Sequence, residues 1–180
     1  MGKVVAGMAS SHAYALVNPT GWEAMRQRTK ANYKRRYGVE PPLDPKIADE
    51  TLEGNQERYS RVSAGFDLFK EKLKEKKLDA LILIGDDQDE HFTEQNVPQF
   101  AIYVGDEFFN TERSIGGVRK RGSKYASHSA LAQNLLDGFV ERDFDMSFCR
   151  TFPNSELISH AHGPILKMVM PEADIPVVLI

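Results

Sequence analysis

Cysteine is nearly absent. The one thiol, Cys149, can close no intrachain disulfide and build no cysteine-based zinc site. Long apolar runs are also missing. Apolar stretches such as Leu81 to Ile84 and Ile175 to Ile180 are far too short to cross a bilayer. The opening Met1-Gly2-Lys3-Val4-Val5 leads straight into a strand-like stretch, so no signal peptide is expected. Ala6 and Gly7 stand where a myristoylation signal would need a Ser or Thr. Nor is there a surplus of basic charge. Lys and Arg number 23 against 26 Asp and Glu, a formal net charge of -3, unlike a dedicated nucleic-acid binder. Repeats and low-complexity tracts are absent. These lacks together predict a cytoplasmic protein with no membrane and no nucleic-acid partner.

What is present suits a globular protein. The chain has 180 residues, 41% apolar and 27% charged, which excludes wholesale disorder. A chain of this length buries roughly 70% of its unfolded surface, so it folds without staples. Lys3 to Met8 reads as a short buried strand. Trp22 to Arg36 reads as a basic helix, with Gly38 as its C-cap and Pro41-Pro42 beyond. Asp44-Pro45 suits the start of a long helix reaching about Lys76. Its stripe of Tyr59, Val62, Phe66, Phe69 and Leu73 places five apolar side chains on one face, read here as core.

Leu78 to Gly85 is an apolar run bounded by charge and reads as a central strand. Pro98 to Val104 reads as the next strand, and Gly105 to Lys124 as loop. Ser127 or Ser129 is positioned to cap a helix running to about Arg142. Asp145 to Cys149, Pro164 to Met170 and Ile175 to Ile180 read as strand, short helix and buried strand. The alternation predicts an α/β fold: a single domain over residues 1–180, a mixed central sheet with helices on both faces, and a helical insertion at about 18–77.

Ligands of open α/β sheets bind beyond the carboxyl ends of the strands. Three such ends carry unusual polar residues: Ser10-Ser11-His12, the stretch Gly85 to Phe92 with its acidic loop Asp86 to Glu90, and His160-Ala161-His162-Gly163-Pro164. Four of the five histidines fall there. Two His and a carboxylate on one face suit Fe(II) with open positions for substrate and dioxygen. Each group also has a plainer reading. His12 could bond to backbone at a strand end, the acidic loop could cap the next segment, and His160 and His162 share no common face on a loop. His128 reads as a helix-start residue, Cys149 as a small buried hydrophobe, and Arg26 to Arg36 as a solvated face.

The segments VVAGMASSHAYAL, LILIGDDQDEHFTEQNVPQFAIYVG, HSALAQNLLDGFVERDFDMSF and SHAHGPIL, in this order, resemble the catalytic subunit of class III extradiol ring-cleavage dioxygenases, the protocatechuate 4,5-dioxygenase beta-subunit type. The resemblance spans nearly the whole chain outside about Asn18 to Lys76. It implies Fe(II) as cofactor, a catechol-type aromatic and dioxygen as substrates, His12 as an iron ligand and His162 as the acid/base. The family's second His ligand falls at Gln88, with Glu90 and His91 close enough to replace it. No residue matches the family's third ligand, a Glu. The resemblance also implies a homo- or hetero-oligomer. Its alternative outcome is a non-catalytic homologous subunit, a partner-binding scaffold or an inactive fragment.

Overall fold

The computed structural model describes residues 2–11, 16–113 and 119–180. The α/β class expected from the sequence holds, with four α-helices and six strands among the described residues. The chain divides into two compact units, Ala13–Leu68 and Met1–His12 with Phe69–Ile180.

In the first unit, helix α1 (Trp22–Tyr37) ends at Gly38, whose φ of 73° is the left-handed value that favours glycine. The Gly38 amide donates to the Lys34 carbonyl at 2.8 Å. Trp22 is buried and donates from Nε1 to the Val17 carbonyl at 2.9 Å. Its basic residues are mostly exposed, as a solvated face requires.

Asp44 does not open the long helix. It caps a 3-10 turn, Pro45–Asp49, by accepting from the Lys46 amide. Glu50 is extended, and its carboxylate accepts from Arg26 at 2.5 Å and Arg58 at 3.3 Å. Helix α2 (Leu52–Lys76) then starts afresh, with Thr51 Oγ1 accepting from the Gly54 amide. Of its apolar stripe, Phe66 and Leu73 are buried and Tyr59, Val62 and Phe69 half-buried.

In the second unit the strands are β1 (Leu81–Leu83), β2 (Phe100–Tyr103), β3 (Glu107–Arg113), β4 (Arg119–Ala126), β5 (Met146–Cys149) and β6 (Val177–Leu179). Both parallel and antiparallel pairing occur, but hydrogen bonds group the strands as three pairs. β1 runs parallel to β6 and β2 parallel to β5, while β3 and β4 form an antiparallel hairpin. β6 also lies beside β2.

Helix α3 (Ser129–Val140) packs on β2, β5 and β6. Ile102, Val104, Ala132, Leu136 and Val178 form the core there, with Leu131 and Leu135 packed against it. Helix α4 (Gly163–Val169) lies on β3. Phe108 of β3 stacks on Tyr125 of β4, and the Tyr125 hydroxyl donates to the Met170 carbonyl.

Four further expectations are corrected. Lys3 to Met8 forms no strand; Val4, Val5 and Met8 are exposed, Val4 at 83%. β1 is not a buried central strand: among the described residues it pairs only with β6, and Ile84 just beyond it is 75% exposed. Gly105 to Lys124 is a hairpin rather than loop, because alternate residues Phe108 and Asn110 face inward from β3 and Tyr125 from β4. The cap of α3 is neither serine but His128, whose Nδ1 accepts from the Leu131 amide.

Candidate functional site

The second unit holds a cavity of about 470 Å³ at the carboxyl ends of β1, β2, β5 and β6. Strand β2 makes its floor: Ala101 and Tyr103 line the cavity, Val104 packs in the α3 core, and Ile102 belongs to that core while also bordering the cavity. Phe92, Val97, Phe100, Phe152 and Leu179 add apolar wall. Its polar side chains are those of the acidic loop, Gln99, Ser159 and His162. A mostly apolar cleft with a few convergent polar groups is the general form of a small-molecule site.

Tyr103, Phe152 and His91 make a stack of three rings on one wall, with centroids 4.5 Å and 4.7 Å apart. His91 is 6% exposed, and neither ring nitrogen has a hydrogen-bond partner. Burial holds its imidazole below the usual value, against the opposing pull of the Asp87 carboxylate. The sign of the consequence follows. The unfolded chain takes up a proton near the ordinary histidine value of 6.5, where the native ring still resists it. Stability present above that pH is therefore lost as pH falls toward the depressed native value. His91→Phe keeps a ring against Phe152 and removes the titration. Thermal melts from pH 7 to pH 5 are expected to fall less steeply for this variant than for the wild type; parallel curves would rule His91 out as the cause.

The acidic loop is built on itself. Asp87 accepts from the His91 amide at 2.9 Å and the Phe92 amide at 2.9 Å. Gln88 and Asp89 between them are left-handed, with φ of 50° and 62°, a conformation that costs a non-glycine residue about 1–2 kcal/mol. Glu90 reaches the other loop, accepting from the His160 amide at 2.5 Å and lying 3.1 Å from its Nδ1. Gln88 Oε1 lies 3.1 Å from His160 Nε2. Asn154 donates to the carbonyls of Glu90 and His91 and closes the clasp.

His162 precedes α4 and sits at the cavity wall. Its Nδ1 is 2.8 Å from Ser159 Oγ and its Nε2 is 3.3 Å from the Ile180 carbonyl. Gly85, at the end of β1, lies under the ring; a Cβ there would stand 2.6 Å from Nε2. Cys149 lines the cavity as a half-buried thiol, pushed up to about 11 by burial and so not a ready nucleophile.

His12 lies outside the described residues. Of the other expected ligands, Gln88 and Glu90 are engaged with His160, and the nitrogens of His91 are sealed beside Phe152. Among the described residues no three His, Cys, Asp or Glu side chains converge on a metal position. As arranged, Gln88, Glu90 and His91 do not fit Fe(II). His162 lines the cavity. Sequence reading missed Ser159, Gly85 and Asn154. The only signal for Ser159 was its place three residues before His162.

No family model matches the chain, and no curated protein matches it. Among the described residues no helix is long and apolar enough to cross a membrane.

Proposed function

We propose that the cavity of this chain takes a catechol-type aromatic, in the manner of the extradiol ring-cleaving dioxygenases it resembles, with His162 exchanging a proton with a ring hydroxyl. The observation that carries the reading is an aromatic-walled cavity at the strand ends with an anchored histidine at its edge. A flat ring suits walls made by Tyr103, Phe152 and Phe92, and a hydroxyl suits the polar pair Ser159 and His162.

A specific observation favours a second reading. Gln88 and Glu90 are held by His160 rather than presented to a metal, which suits a homologous subunit that binds the ring without opening it. One set of measurements separates the two. Titration of the purified protein with protocatechuate is expected to show saturable binding. His162→Ala is expected to weaken it roughly 10- to 100-fold, through loss of the partner that orients the Ser159 hydroxyl at the cavity. Oxygen uptake after loading with Fe(II) would select the enzyme; binding with neither iron retention nor uptake would select the non-catalytic subunit. Absence of binding would overturn both.

A further inference from the structure

His162 has two ring nitrogens, and the structure gives them unequal freedom. Nε2 faces the Ile180 carbonyl at 3.3 Å. A carbonyl can only accept, so the hydrogen of this contact belongs to Nε2. The same edge is pressed against Gly85, where a Cβ would meet Nε2 at 2.6 Å and both neighbouring carbons at 3.0 Å. Nδ1 is then the nitrogen without a hydrogen in the neutral ring, and Ser159 Oγ covers it at 2.8 Å. Ser159 is 3% exposed and lines the cavity. Its position is fixed by the turn into α4, where the His162 and Gly163 amides donate to the Ser159 carbonyl at 3.2 Å and 3.0 Å.

We propose that Ser159 is the proton relay of the site: a hydroxyl of the bound aromatic gives its proton to Ser159 Oγ while Ser159 gives its own to His162 Nδ1. The inference rests on the aromatic-binding reading above. The balance is closed. One O–H bond breaks on the ligand and one forms on Ser159; the original Ser159 O–H breaks and an N–H forms on His162. The products are a singly ionised catechol and an imidazolium, and no oxidant or further reactant is consumed. A serine hydroxyl can serve both ends because it donates once and accepts twice. The imidazolium is then held by two acceptors, Ser159 Oγ and the Ile180 carbonyl, with no movement of the ring. Ser159 also fixes the tautomer, as the partner of one ring nitrogen decides which nitrogen carries the hydrogen.

The test uses two readouts on the full chain. Nitrogen NMR of the imidazoles, with the His162 signals assigned by their loss in His162→Ala, is expected to show the Nε2–H form in the wild type. Ser159→Ala is expected to shift the tautomer balance. In the second readout, bound protocatechuate is followed by the absorbance of its ionised form. Wild type is expected to ionise the ligand near neutral pH. Ser159→Ala is expected to bind roughly 10-fold more weakly and, at saturating protocatechuate, to lose at least nine-tenths of the ionised signal, with Ser159→Thr restoring it. Ser159→Cys, a weaker donor of similar size, replaces the alanine variant should that one not fold. An Nδ1–H tautomer in the wild type, or full ionisation by Ser159→Ala, would overturn the relay. If protocatechuate does not bind the wild type at all, the functional reading fails. The tautomer and its dependence on Ser159 still decide the protein half of the relay.

Discussion

Gly85→Ala is expected to lower the melting temperature and abolish measurable protocatechuate binding together. The added methyl would sit 2.6 Å from His162 Nε2 and 3.0 Å from Cδ2 and Cε1. Contacts that short do not persist, so something must shift. The ring cannot swing cheaply, because Ser159 holds Nδ1 and the Ile180 carbonyl holds Nε2. The backbone of Gly85 cannot retreat cheaply either. Its amide donates to Ile180 at 2.9 Å, which extends the pairing of β1 with β6 beyond Leu83. Overpacking of this kind costs about 1–3 kcal/mol. At this chain length each kcal/mol moves the midpoint by roughly 2–4 °C. The two effects have one cause, and they can be separated. In a Gly85→Ala, His162→Ala double variant the clash is gone, so stability should return while binding recovers only to the weakened level of His162→Ala. An unchanged melting temperature in the single variant would show that the ring is free to move.

The parts of the fold legible in the sequence were those fixed by local rules. α1 could be bounded because Gly38 stops it and Pro41 lies beyond; the left-handed φ of Gly38 is the physical content of that signal. β2, β5 and β6 were found as short apolar segments, and α3 by its apolar row. Failures came where tertiary context decides. Lys3 to Met8 has the composition of a buried strand, yet a strand needs a partner edge and the segment has none in the described residues. The β3–β4 hairpin was missed because its charged residues mask its period. Phe108, Asn110 and Tyr125 are its inward set, and two of the three are polar or partly polar.

The candidate site divides in the same way. His162 was placed at a strand-end cavity from its sequence setting, and the cavity is there. The partners of Gln88 and Glu90 were not legible, since His160 lies some seventy positions away. Sequence distance hides such a clasp entirely. Its effect is large: residues expected as iron donors become the bonds that tie two loops together. Ser159 was hidden for the opposite reason. It is close to His162 in sequence, but only the turn before α4 aims its hydroxyl at Nδ1.

Phe108→Ala is expected to destabilise the protein most of all, by about 3–5 kcal/mol. Phe108 is 2% exposed and at the meeting point of three elements. Its ring lies parallel to Tyr125 at 5.6 Å, with 6° between the planes. It meets Tyr103 edge-on at 6.1 Å and 86°. Each aromatic pair adds about 0.5–1.5 kcal/mol to the burial itself. The loss should not stay local. Tyr103 is braced between Phe108 on one side and Phe152 on the other, and Phe152 in turn stacks on His91. Removing the first ring loosens the wall of the cavity through that chain of contacts. Urea unfolding should show a lower midpoint with an unchanged slope, since the surface exposed on unfolding is nearly the same. Phe108→Leu keeps much of the volume and should lose distinctly less stability, while still losing both ring contacts. If protocatechuate binding weakens in Phe108→Leu although the fold survives, the bracing of Tyr103 matters to the site itself. Equal binding in the leucine variant and the wild type would confine Phe108 to the core.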